Sequence, residues 1–297
     1  MSTTTMSKTS KGICLIILSA FCFACMNVCV RLSGELPSIQ KSFFRNFIAM
    51  LFAFAILKKG EGSALCAIKK QHLPYLVLRS IFGTLGILCN FYAVDHLLVA
   101  DASILNKLSP FFAIIFSFFI LKEKIRPFQA ICVFLAFVGC ICIVKPGFTN
   151  VSILPACIGV LGGMAAGIAY TMVRLLGTRG VKGPFIVFFF SAFSCLVTLP
   201  WLLFHYTPMT GTQLGFLLLA GLFAAGGQFT ITAAYTCAPA REISIYDYSQ
   251  ILFATLLGFF LFGEIPDALS FLGYGLIILG SLLMFLYTKN KTADAHI

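Results

Sequence analysis

Long apolar runs alternate with short polar gaps along the whole chain. A helix needs roughly 20 apolar residues to cross a bilayer core of about 30 Å. Marking such runs predicts ten helices: Ile13–Val30, Ser42–Leu57, Leu73–Val94, Ala102–Leu121, Phe128–Val144, Ile153–Val173, Pro184–His205, Thr212–Cys237, Ile243–Phe262 and Ala268–Tyr287. The second and fifth are slightly short. The gaps carry Gly34 and Pro37, Gly60 and Gly62, Pro146 and Gly147, Gly180 and Gly183, and Pro208 and Gly211. Glycine and proline end helices and turn the chain. The widest gap, around Lys58–Lys70, is too short to hold a soluble domain.

Composition agrees with the pattern. Of 297 residues, 60% are hydrophobic and 10% are charged, against about 25% charged in a soluble domain. So few charges cannot cover a soluble fold of this size, so lipid must face much of the apolar surface. The net charge of +11 does not point to nucleic acid, because the basic residues sit in short gaps between apolar runs. Most of the 12 cysteines lie inside apolar runs, Cys14, Cys22, Cys25, Cys132, Cys140 and Cys142 among them, where a thiol packs as a small hydrophobe. Cys22 and Cys25 have the spacing of a metal or redox pair, but no second such pair or nearby His completes a tetrahedral site. No metal or cofactor is expected.

The gaps also orient the chain. Lys8 and Lys11 precede the first run, as in a signal peptide. That run is long for one and lacks a clear small-residue cleavage site, so it reads as a retained helix 1. With the N-terminus inside, 16 of the 21 Lys and Arg fall on the cytoplasmic side. Arg31, Lys41, Arg45 and Lys145 lie near the outer side, and Lys107 is within a helix. Basic residues stay inside, so both termini are expected in the cytoplasm, with the protein in the cytoplasmic (inner) membrane.

The second half repeats the first. A shift of 141 residues lays Ala102–Glu123 on Ile243–Glu264, matching Phe112-Ala113 with Phe253-Ala254 and Phe118-Phe119 with Phe259-Phe260. A shift of 143 lays Val30-Arg31-Leu32 on Val173-Arg174-Leu175. The expected domains are residues 12–146 and 152–288, with cytoplasmic tails 1–11 and 289–297. An odd number of helices per copy inserts the second copy upside down. The predicted fold class is an all-α membrane protein with ten transmembrane helices as two inverted five-helix repeats. Such repeats put a binding site near the midplane and let the cavity open to alternate sides.

The stretch Ala102-Ser-Ile-Leu-Asn-Lys-Leu-Ser-Pro110, with Leu121-Lys-Glu123 after it, resembles the end of an EamA repeat. So does Ser244-Ile-Tyr-Asp-Tyr-Ser-Gln250, leading to Leu261-Phe-Gly-Glu264. From Gly12 to Tyr287 the chain is similar to the EamA family of the drug/metabolite transporter superfamily. The resemblance implies a central cavity lined by helices 1–4 and 6–9, with helices 5 and 10 outside. Ile251 stands where many second repeats have the proline that matches Pro110. Helix 9 is therefore expected to be straighter than helix 4, since proline kinks a helix.

Two charges lie inside apolar runs. Placing a charge such as Lys107 at a helix centre costs about 2.5–3.5 kcal/mol. It is expected to face the cavity and bind an anionic substrate group; the alternatives are snorkelling or hydrogen bonds to backbone carbonyls. Asp247 sits at nearly the matching place in helix 9. It can bind a substrate amine, exchange a proton, or simply hydrogen-bond near the helix start. Counting 1.5 Å per residue from opposite surfaces puts each charge about 6–9 Å deep. That leaves roughly 13 Å between them in a core of about 30 Å, which argues for two ends of one polar cavity rather than a direct ion pair.

Ser103, Asn106, Tyr246, Tyr248 and Gln250 surround these charges in sequence. Asn27, Asn90, Tyr92, Tyr170, Gln228 and Tyr235 add polar or aromatic groups in helices 1, 3, 6 and 8. Each alone suits an interhelical hydrogen bond; together they suit a pocket for a small, partly apolar ligand. Gly159, Gly163 and Gly167 form a stripe that lets another helix approach closely. Glu123 and Glu264 read as structural markers of helix ends.

The expected function is a secondary transporter that moves a small amino acid-like or amphipathic metabolite by alternating access. Asp247 and family habit favour export by proton exchange; uptake or exchange of a nucleoside or cofactor is the alternative. No HExxH motif, Walker loop or paired intramembrane Asp is present, and all four His fall in or near loops. An enzyme or ATPase is hard to build from these residues, and a channel stands as a third reading. The expected partners are a small-molecule substrate and the lipid bilayer, with no nucleic acid. The sequence leaves the oligomeric state open.

Overall fold

A computed structural model describes residues 8–59, 70–96, 105–123, 126–144, 153–263 and 268–294. Among these residues there are ten helices of thirteen residues or more: α1 (Lys8–Leu32), α2 (Ser38–Lys59), α3 (Leu73–His96), α4 (Ser109–Leu121), α5 (Pro127–Val144), α6 (Ile153–Thr178), α7 (Gly183–Phe204), α8 (Gly211–Cys237), α9 (Ser249–Phe262) and α10 (Ala268–Asp294). Seven stretches, in α1, α2, α3, α6, α7, α8 and the run Ala240–Leu261, are long and apolar enough to cross a membrane. Ser109–Leu121, Pro127–Gly139 and Phe271–Tyr287 are shorter apolar helices.

Phe204 and Phe260 are 84% and 77% exposed. Ser19, Gln40, Asn46, Ser80, Thr171 and Ser194 are buried. Polar groups inside and bare aromatic rings outside suit lipid as the surrounding solvent. The chain is an all-helical, multi-pass membrane protein.

Three expectations change. First, α1 begins at Lys8 and α10 runs to Asp294, so helix extends into both stretches read as tails. Second, helix 4 is interrupted: Lys107–Leu108 form a turn, and α4 starts at Ser109. Pro110 explains the break, because it offers no N–H to the Asn106 carbonyl four residues back. Third, helix 9 is not regular α-helix throughout. A short helical turn, Ala240–Ile243, leads into a 3-10 segment, Ser244–Tyr248, before α9. At its end Ser249 Oγ donates to the Tyr246 carbonyl at 2.6 Å, three residues back.

Both interrupted helices end alike. Lys122 caps α4 with φ 54° and Gly263 caps α9 with φ 67°, which is the left-handed conformation that stops a helix. These caps stand in the 141-residue register of the sequence repeat.

The packing also repeats. α1 lies against α8 and α9, and α6 against α3 and α4; α2 packs on α7, and α5 on α10. Exchanging each helix with the one five places away maps this set of contacts onto itself. The glycine stripe of α6 meets residues 105–113. A Cβ at Gly163 would sit 2.5 Å from the Leu105 carbonyl, and one at Gly167 would sit 2.8 Å from the Ala113 nitrogen. Only a bare backbone lets the broken start of helix 4 press this closely on α6.

Candidate functional site

The two breaks meet. Lys107 Nζ donates to Asp247 Oδ2 at 3.0 Å, to the Asp247 carbonyl at 3.2 Å and to Gln250 Oε1 at 2.7 Å. An ammonium has three N–H donors, and each finds an acceptor. Tyr248 Oη donates to the Lys107 carbonyl at 3.1 Å, a second tie between the same two segments. Lys107 and Asp247 are both buried.

This contact overturns the expectation that the two charges stand at separate ends of a cavity. The 13 Å estimate laid two straight helices along the membrane normal. Neither is regular α-helix throughout: a turn precedes α4 and a 3-10 segment precedes α9. The long lysine side chain reaches across to Asp247.

Aromatic walls flank the pair. Tyr170 of α6 and Tyr235 of α8 stack with ring centroids 4.9 Å apart and planes 9° from parallel. Asp247 lies within electrostatic reach of both rings. Tyr246 is buried, while Asn106 and Gln250 are half-buried.

The other expected residues are more dispersed. Gln228 is buried, its Nε2 donating to Thr232 Oγ1 at 3.5 Å on its own helix. Tyr92 stacks on His96 at 4.0 Å near the end of α3. Asn90 is half-buried on the same helix, and Asn27 is exposed on α1. Ser103 and Glu264 lie outside the described residues. Glu123 pairs with Arg174 at 3.3 Å, tying the end of α4 to α6, as a structural marker should.

Two functional candidates were missed. The sequence places Arg45 near the outer side and gives Arg79 no role. Arg45 is instead buried in α2 and Arg79 in α3. Both lie within electrostatic reach of Tyr170. The available signal was the one that singled out Lys107, a charge inside an apolar run with no acid within a helical turn.

Known proteins match this architecture. The EamA-like transporter family matches residues 10–145 and 153–286. The pseudopaline exporter CntI of Pseudomonas aeruginosa is 33% identical over 276 residues, covering 92% of this chain and 95% of the exporter. An S-adenosylmethionine uptake transporter of Rickettsia prowazekii is 23% identical, covering 96% of this chain and 95% of its own length. A solved crystal structure superposes with a TM-score of 0.78 at 17% identity, over 95% of this chain and 98% of that one, a likeness of fold alone. Two family matches in tandem and identity along nearly the whole length lead to one conclusion: the chain belongs to the EamA-like transporter family and is a membrane transporter, not an enzyme.

Proposed function

We propose that the protein is a secondary transporter that carries a small metabolite by alternating access, with the Lys107–Asp247 pair at the centre of its path. The observation that carries this reading is a buried ion pair, with an acceptor for every donor of the ammonium, where the irregular starts of two helices meet. Interrupted helices set substrate and coupling sites near the midplane of many carriers. An intramembrane charge pair costs stability, so a chain that keeps one has a use for it.

The reading includes ten crossings in two inverted repeats, residues 12–146 and 152–288. The five-place exchange of helix contacts and the equivalent left-handed caps support it. Both termini lie in the cytoplasm and the protein sits in the cytoplasmic membrane; the distribution of Lys and Arg supports this. Asn106, Gln250, Tyr170, Tyr246 and Gln228 contribute to the substrate path around the pair, while Asn27 and Tyr92 lie further along it. Export coupled to protons is the favoured direction. Protonating Asp247 removes the negative charge that faces Lys107, which weakens the tie between the two segments. The similarity to a pseudopaline exporter supports export; the similarity to an uptake transporter keeps import as the second reading.

The test is counterflow by the purified protein in liposomes. A carrier shows saturable exchange and trans-stimulation, and a channel shows neither. Asp247→Asn is expected to lose the wild-type pH dependence of exchange. Unchanged pH dependence would remove Asp247 as the coupling group.

A further inference from the structure

Arg45 and Arg79 are the buried charges that the central pair does not explain. They are 8% and 2% exposed. Arg45 Nε and Nη1 and Arg79 Nε are buried without any hydrogen-bond acceptor, and neither guanidinium is ion-paired among the described residues. The protein does not lack acceptors elsewhere: Lys107 has three, and buried Asn46 donates to both Ser42 and Ser194. Two guanidinium groups left in this state are costly, and packing them needs a reason.

Their surroundings look built. The Arg79 guanidinium lies 4.1 Å from the centre of the Phe190 ring on α7. A Cβ at Gly83, one turn further along α3, would collide with that guanidinium and with Phe190; glycine there makes the room. Arg45 lies 6.0 Å from the centre of the Phe23 ring on α1. Stacking on an aromatic ring holds a guanidinium by its face and leaves its N–H edge for a planar oxyanion. Arg45 and Arg79 are within electrostatic reach of each other and of Tyr170, which in turn reaches Asp247. The central ion pair cancels itself, so this side of the interior carries two uncompensated positive charges.

We infer that Arg45 and Arg79 form an anion-binding subsite of the transport path, which takes the carboxylate or phosphate groups of an organic substrate bearing at least two negative charges. The inference rests on the transporter reading and narrows its substrate class. It also moves anion recognition away from Lys107, whose three donors are already engaged.

The experiment uses the full-length protein in detergent, with succinate, citrate and glycerol 3-phosphate as probes, succinamide as the neutral control and chloride as the inorganic one. At least one organic anion is expected to raise the melting temperature by several degrees, with succinamide and chloride ineffective. Carboxylate and phosphate sources separate by which probe binds. Arg45→Gln and Arg79→Gln are each expected to weaken that binding by about tenfold or more, the loss of one charge-assisted contact. Without ligand both variants are expected to melt above the wild type, because each removes an uncompensated buried charge. The inference fails if no probe binds, if chloride alone reproduces the shift, if the double variant R45Q/R79Q binds as the wild type does, or if the ligand-free variants melt lower. Counterflow separates this failure from that of the transporter reading. A neutral or cationic solute exchanged equally by wild type and R45Q/R79Q sinks the anion subsite and leaves the carrier intact. Absence of counterflow for every solute class sinks the carrier.

Discussion

Two sets of buried charges in this protein are treated in opposite ways. Lys107 and Asp247 are joined directly, and every donor of the ammonium has an acceptor. Arg45 and Arg79 are as deeply buried, yet they face one another's like charge with N–H groups unmet. Burial alone therefore does not mark a functional charge. A closed pair is neutral in itself, whereas two unpaired cations leave charge to be met.

Breaking the closed pair is expected to have the largest effect. Lys107→Met or Asp247→Asn leaves a buried charge uncompensated, which destabilises by about 3–5 kcal/mol. Melting of the purified variants measures it, and the double variant K107M/D247M is expected to recover most of the stability while losing transport. A single substitution that melts within a degree of the wild type would show the pair to be incidental. The arginines give the opposite sign, a gain in ligand-free stability on conversion to glutamine. A second perturbation leaves the charges alone and moves their support. Gly167→Val pushes on Phe112 and the Ala113 backbone, and overpacking of this kind costs about 1–3 kcal/mol. It is expected to lower melting and slow exchange together; normal exchange would mean that the close contact of α4 with α6 is dispensable. The smallest effect is expected from Tyr248→Phe. Losing its hydrogen bond to the Lys107 carbonyl costs about 0.5–1.5 kcal/mol, visible as a small shift in melting with the ion pair retained.

The same contrast separates what was legible in the sequence from what was not. Lys107 and Asp247 stood out because each interrupts an apolar run. Their contact did not, since depth counted along a straight rod fails where the rod breaks. Pro110 announced the break before α4, but no residue of like signature announces the 3-10 segment before α9. Arg45 was missed for another reason. It lies near the start of a predicted helix, where a basic residue reads as a topology signal, and only packing shows whether it faces headgroups or the interior. The glycine stripe of α6 was read as a helix interface; its partner, residues 105–113, came from the tertiary structure.

The sequence by itself determined a lipid-embedded, all-helical chain with a repeated unit, because hydrophobic run length, charge placement and internal similarity are all properties of one dimension. Only the tertiary structure decided which charges meet and which are left without a partner. That outcome depends on where helices break and how far side chains reach, which a one-dimensional pattern does not encode.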